Sequence, residues 1–213
     1  MAWVCNATLA AVDARRPPCD SWLTSTERLR LHGFARPSRQ QQYLAGRWLL
    51  RELLGALLDR EPATLAIELD ARMRSQCLAQ GWQLSLSHCA ELLAAAAAPI
   101  GPALGIDLEA VKPGRDWAAL AAHFELPAGS SERDFYRHWT LGEAWLKASP
   151  TDLGLLAAQR LRWKRQPLGL GPAWCAQAGP MHLALVAART PQWWRLPAES
   201  PAAWNDDGCW GPA

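Results

Sequence analysis

Between Ser38 and Leu58 the residues Tyr43, Leu44, Trp48, Leu50, Leu54 and Leu57 recur at the spacing of one side of an α-helix, with arginines set among them. A long helix with one apolar side must bury that side against another layer of structure. The same half supplies a second kind of element. Trp82 to Ser87 alternates Trp, Gln, Leu, Ser, Leu, Ser, the period of a half-buried strand. Helices and strands mix in the other half too, which places the chain among α/β or α+β proteins.

The remaining elements follow from patterning and punctuation. Residues 1–12 read as an opening strand and 13–20 as a loop. A helix is predicted over Ser21 to Leu31, with Thr24 or Ser25 as its cap and Glu27 in its first turn. Pro37 breaks the chain before the long helix. A strand is expected near Leu65 to Leu69. Glu91 to Ala98 stays open between strand and helix until Pro99-Ile100-Gly101-Pro102 closes it. Leu104 to Leu108 reads as a strand, Trp117 to Phe124 and Asp134 to Ala148 as helices, and 127–131 as a loop with Ser130 or Ser131 as cap. Pro150 to Gly154 reads as a turn and Leu183 to Ala188 as a late strand. The Trp- and Pro-rich tail from Thr190 has no legible pattern. No fixed-period repeat is present. The expected division is an N-terminal subdomain, 1–103, and a C-terminal one, 104–213.

The chain has 213 residues, half of them hydrophobic, enough for a real core. Its net charge of +2 argues against a nucleic-acid partner, although Arg28, Arg30, Arg36, Arg39, Arg47 and Arg51 crowd one segment. The six cysteines are scattered without zinc-like spacing. No run approaches a membrane helix, and the first residues do not resemble a signal peptide. A cytoplasmic protein with reduced thiols and no membrane partner is expected.

In Gly105-Ile106-Asp107-Leu108-Glu109, Asp107 and Glu109 share one face of the predicted strand. Adjacent carboxylates repel unless a cation or proton lies between them. Mg2+ suits such a pair, because it bridges carboxylates to substrate phosphates; a solvated acidic strand end is the alternative. Trp139, Glu143 and Lys147 lie along one helical side at i, i+4 and i+8. They offer a third carboxylate and a cation for a phosphate, or else a plain surface pair. Ser87 and His88, at a strand end, can hold a phosphate through hydroxyl and imidazole, or His88 can be structural. No nucleophile elbow of the Gly-x-Ser-x-Gly kind accompanies them. Arg47 and Arg51 stand on one side of the long helix, where their forked donors suit phosphates or simply meet solvent.

The order of these motifs resembles the Sfp-type 4′-phosphopantetheinyl transferases from about Leu23 to Ala188. Thr26-Glu27-Arg28-Leu29-Arg30 with Phe34 is similar to the family's early segment, and Ala45-Gly46-Arg47-Trp48-Leu49-Leu50-Arg51 to its A-G-R-x-x-x-R helix. Leu86-Ser87-His88, Gly105 to Glu109 and Trp139 to Lys147 match its later motifs. The resemblance implies two similar subdomains related by a pseudo-twofold axis, with coenzyme A, the substrate, between them. It implies Mg2+ on Asp107, Glu109 and Glu143, and donor phosphates on Ser87, His88, Arg47, Arg30 and Lys147. It implies a monomer that modifies a serine of an acyl or peptidyl carrier protein and releases 3′,5′-ADP. A base must take the serine proton, and Glu143, directly or through a metal-bound water, is the candidate. Two departures stand out. Gly142 replaces the family's lysine before the glutamate, and Met73 to Gly81 replaces its G-K-P segment. The alternative implied by Gly142 is a relative that binds coenzyme A or carrier protein with little turnover.

Overall fold

The structure is a computed structural model that describes residues 1–18, 21–70, 74–101, 103–149, 162–167, 172–188, 191–193 and 204–212. The chain is a mixed α+β protein. The first sheet holds β1 (Ala2–Thr8), β2 (Glu68–Leu69), β3 (Ser75–Cys77), β4 (Trp82–Cys89), β5 (Leu92–Pro99) and β10 (Pro191–Trp193), in the order β10-β1-β5-β4-β3-β2. The second holds β6 (Leu104–Ala110), β7 (Trp163–Gln166), β8 (Ala173–Ala178), β9 (Met181–Ala187) and β11 (Asn205–Pro212), in the order β6-β9-β8-β11-β7. The helices are α1 (Leu9–Arg15), α2 (Ser25–His32), α3 (Pro37–Leu58), α4 (Trp117–His123) and α5 (Glu132–Ala148).

One wiring occurs twice. β1 leads through helices to the β4–β5 hairpin and pairs antiparallel with β5; β6 leads through helices to the β8–β9 hairpin and pairs antiparallel with β9. Each sheet carries one long helix. α3 packs Leu49, Leu50, Leu53 and Leu54 on the first sheet, and α5 packs Leu141, Ala144 and Ala148 on the second. The sheets face each other through Val4, Ala94 and Ala96 on one side and Ile106, Leu108 and Leu185 on the other.

β5 resolves the open reading of 91–98. Leu93, Ala95 and Ala97 face α3, while Ala94, Ala96 and Ala98 face the second sheet. A strand buried on both faces loses its polar alternation, and alanine lets both layers approach.

Several expectations are corrected. The opening strand ends at Thr8, whose hydroxyl accepts the Ala11 N–H at 3.2 Å and starts α1 inside the predicted strand; the helix then runs on to Arg15, into the predicted loop. The tail does contain strands: β10 runs parallel to β1, and β11 lies between β8 and β7. The turn expected at 150–154 lies outside the described residues. Thr24 caps α2 in a reciprocal capping box with Glu27, and Ser131 caps α5 in the same way with Asp134. Pro37 does not break α3 but opens it, since its missing N–H is spare in a first turn.

The two sheets are stitched along one line. β6 is an edge strand, so its outward N–H groups lack a strand partner. Those of Ile106, Leu108 and Ala110 donate to Ser85 Oγ (3.0 Å), Ser87 Oγ (3.2 Å) and Cys89 Sγ (3.2 Å). Every second side chain of β4 thus satisfies every second amide of β6. Gly105 sets the other side of β6. A Cβ there would lie 2.0 Å from the Ala144 carbonyl oxygen and 2.7 Å from the Ala148 nitrogen, so only glycine lets α5 sit this close. Among the described residues no helix is long and apolar enough to cross a membrane.

Candidate active site

A cleft of about 580 Å3 opens where α2, α3 and β4 of the first half meet β6 and α5 of the second. Arg30, Arg39, Arg47, Arg74, His88 and Lys147 line it, and among its described lining residues there is no carboxylate. So dense a cationic wall selects an anionic ligand.

The wall is built on a buried anion. Glu27 is fully buried; its carboxylate accepts from Arg47 Nε, from Arg51 Nη1 (2.9 Å) and Nη2 (2.7 Å), and from the Thr24 N–H (2.9 Å). Burial alone would raise the Glu27 pKa, but the Arg51 hydrogen bonds and both guanidinium charges bring it below the ordinary glutamate range. Arg51 is fully buried, lies 4.9 Å over the Trp22 ring, and serves the fold. Arg47 reaches the cleft, but Nη1 also donates to Ser75 Oγ (2.6 Å) and Nη2 to the Ile67 carbonyl (2.9 Å). A phosphate would therefore meet a guanidinium already fixed in place. Arg30 lies 5.8 Å over the Phe34 ring at the same wall.

His88 faces the cleft from β4, with Arg39 Nη1 at 3.3 Å from its Nε2. Burial, then the charges of Arg39 and Lys147, hold its pKa below the usual histidine value, against the opposing pull of Asp107. Ser87 points the other way. Its hydroxyl donates to Asp107 Oδ1 at 2.9 Å and accepts from Leu108, so its only proton is committed away from the phosphate contact the sequence suggested.

Asp107 is buried on β6. Its Oδ1 accepts from Lys147 Nζ at 2.7 Å as well as from Ser87, and Lys147 also donates to the Ile106 carbonyl at 3.0 Å. Among the described residues Asp107 Oδ2 and Glu109 Oε2 are buried without a hydrogen-bond partner, and Lys112 Nζ lies 3.5 Å from the latter. Glu143 stands one turn before Lys147 on α5. Burial raises its pKa, the charges of Asp107 and Glu109 raise it further, and Lys147 opposes them. Glu143 thus senses both of the other carboxylates. Among the described residues no three His, Cys, Asp or Glu side chains form a group that could by itself hold a metal ion. Mg2+ rarely needs one, since it is held by one or two carboxylates plus substrate phosphates. Two orphaned oxygens beside a third coupled carboxyl fit such an ion.

Sequence reasoning missed Arg39 and Arg74 as cleft residues, Glu27 as the anchor of the arginines, and the Ser85, Ser87, Cys89 row as a seam. The spacing of that row was visible; the strand it faces was not. Gly142 is buried within α5, and Lys147 is the ammonium that α5 brings to Asp107.

Residues 30–98 match the family described as the 4′-phosphopantetheinyl transferase N-terminal domain. That stretch runs from α2 through β5 and includes Arg47 and His88. The chain is also 30% identical over 171 residues to the 4′-phosphopantetheinyl transferase HetI of Nostoc sp. (strain PCC 7120), an alignment covering 71% of each chain. With that relationship and with the cationic cleft set against paired acids, the chain belongs to the 4′-phosphopantetheinyl transferase family and is a transferase of phosphopantetheinyl groups.

Proposed function

We propose that this transferase moves the 4′-phosphopantetheine of coenzyme A onto a serine of an acyl or peptidyl carrier protein, with Mg2+ required and 3′,5′-ADP released. One observation carries the reading. The cleft sets guanidinium, imidazole and ammonium groups along its wall, and Lys147 at that wall holds Asp107, one of two acids whose buried oxygens have no hydrogen-bond partner. A donor rich in phosphates suits the wall, and a divalent ion shared between carboxylate and pyrophosphate oxygens suits the acids.

Asp107, Glu109 and Glu143 would hold the ion, which when bound supplies charge neutralisation on the pyrophosphate and the leaving group. Arg30, Arg47 and His88 bind the anionic end of the donor, and Lys147 contacts the pyrophosphate. Glu143, its carboxyl raised above the ordinary range, accepts the proton of the carrier serine hydroxyl. As that oxygen bonds to the β-phosphorus, the bond from this phosphorus to the bridging oxygen breaks, and its electron pair leaves on 3′,5′-ADP. Positioning and charge do most of the work in such a transfer.

The test is an intact-mass measurement of apo carrier proteins incubated with the enzyme, coenzyme A and Mg2+. Each accepting serine gains one phosphopantetheinyl group. No gain on a panel of acyl and peptidyl carriers overturns the proposal. The second reading, a binder with little turnover, rests on Gly142. A large rate increase in Gly142→Lys favours it, and a fast native enzyme removes it.

A further inference from the structure

We infer that Ser87 is a positioning residue for Asp107 and does not bind a phosphate of the donor. The inference rests on the proposed role of Asp107 toward a divalent ion. Ser87 is 6% exposed and projects from β4 onto the edge of β6, while His88 beside it projects into the cleft, as neighbours on a strand must. Its hydroxyl carries a single proton, given to Asp107 Oδ1 at 2.9 Å, and its lone pair takes the Leu108 N–H at 3.2 Å. One side chain therefore holds both the carboxylate and the backbone that follows it.

Ser85 and Cys89, two residues to either side, accept the Ile106 and Ala110 amides in the same way, but neither donates to an acid. Only Ser87 combines the two tasks. Lys147 Nζ binds the same Oδ1 at 2.7 Å. Two donors on one oxygen fix the plane of the carboxylate and leave Oδ2, which has no partner, as the oxygen to meet an ion. Hydrogen-bond partners of metal-binding carboxylates typically govern metal affinity by about 10-fold to 100-fold.

The experiment titrates Mn2+ into the full-length protein saturated with coenzyme A, without carrier protein, and counts free ion by electron paramagnetic resonance. Coenzyme A affinity in EDTA is measured separately by calorimetry. Ser87→Ala removes both bonds. Ser87→Cys keeps an acceptor for Leu108, as Cys89 does for Ala110, but is a poor donor to Asp107. Ser85→Ala removes a seam acceptor and touches no carboxylate. Both Ser87 variants are expected to weaken Mn2+ by about tenfold, with metal-free coenzyme A affinity unchanged. Ser85→Ala is expected to lower the melting temperature and leave Mn2+ affinity alone.

A loss of metal-free coenzyme A affinity in Ser87→Ala with Mn2+ affinity intact means a direct phosphate contact and overturns the inference. Equal Mn2+ loss in Ser85→Ala overturns it as well, since a loosened seam would then suffice. If the native protein with coenzyme A takes up no Mn2+, the inference falls together with the metal reading beneath it. That outcome is seen in the native protein, before any variant is made.

Discussion

Glu27→Gln tests how the cationic wall is held. The substitution keeps the shape of the side chain and most of its hydrogen-bonding capacity but removes the charge. In the native protein one carboxylate faces two guanidinium groups, with Arg47 3% and Arg51 0% exposed. Without it two buried cations remain against a neutral amide. Breaking a buried ion pair by removing one partner costs about 3–5 kcal/mol, a large share of the roughly 5–15 kcal/mol that holds a domain. At about 2–4 °C per kcal/mol for a chain of this size, the melting temperature should fall by about 6–20 °C. Thermal unfolding followed by circular dichroism measures it. Arg51→Met placed on top should recover part of the loss, because it removes one of the stranded charges. The pH dependence has a definite sign. Glu27 titrates lower in the folded protein than when unfolded, so its stabilisation is present above the ordinary glutamate range. It is lost as pH falls through the folded value; the variant should lose that part of the acid sensitivity. A fall of under about 2 °C would refute the reasoning, since it would amount to less than about 1 kcal/mol. The arginines would then have found other partners or water.

Gly105→Ala should force α5 off β6, because its Cβ would meet the Ala144 carbonyl at 2.0 Å. A loss of at least about 1–3 kcal/mol in urea unfolding, with activity falling further, is expected; an unshifted midpoint would show that the helix gives way freely. As a base Glu143 works deprotonated, so kcat/KM should fall as pH drops through its raised pKa. In Glu143→Gln that acid limb should vanish from the profile along with most of the rate. His138 and His182 are buried with pKa values lowered to about 4, by burial first. The unfolded chain therefore binds more protons than the folded one below the ordinary histidine value, and stability falls with acid, by up to about 3 kcal/mol for each group. Urea midpoints at pH 7 and pH 5 should differ in the native protein and differ by less in His182→Gln, with His138 supplying the remainder.

What could be read from the sequence was what depends on neighbours in the chain. α3 and α5 announced themselves by periodicity, and the capping residues of α2 and α5 lie within a turn of the amides they serve. β4 showed its alternation, but alternation does not say which face is covered. By alternation the serines read as the polar side, whereas they are sealed against β6, a strand some twenty positions further along the chain. Arg47 and Arg51 read equally well as phosphate binders or as a solvated face. Their partner Glu27 lies in a different helix, so only the fold decides that Arg51 is structural and that Arg47 is anchored at the cleft. β11 was illegible because Asn205–Pro212 has low strand propensity and is held by pairing on both sides with β8 and β7.

The candidate groups all sit on regular elements: Arg30 on α2, Arg47 on α3, His88 on β4, Asp107 and Glu109 on β6, Glu143 and Lys147 on α5. Groups on helices and strands are held more tightly than groups on loops, and a transfer that depends on alignment gains most from that. The alignment has two sources here. Seam bonds between β4 and β6 set the acids against His88, and the missing Cβ of Gly105 sets the height of Glu143 and Lys147 above them. The seam is also part of what joins the two halves. Changes that weaken the contact between the halves should therefore lower the rate at temperatures where the protein is still folded, since small displacements cost alignment before they cost cooperativity.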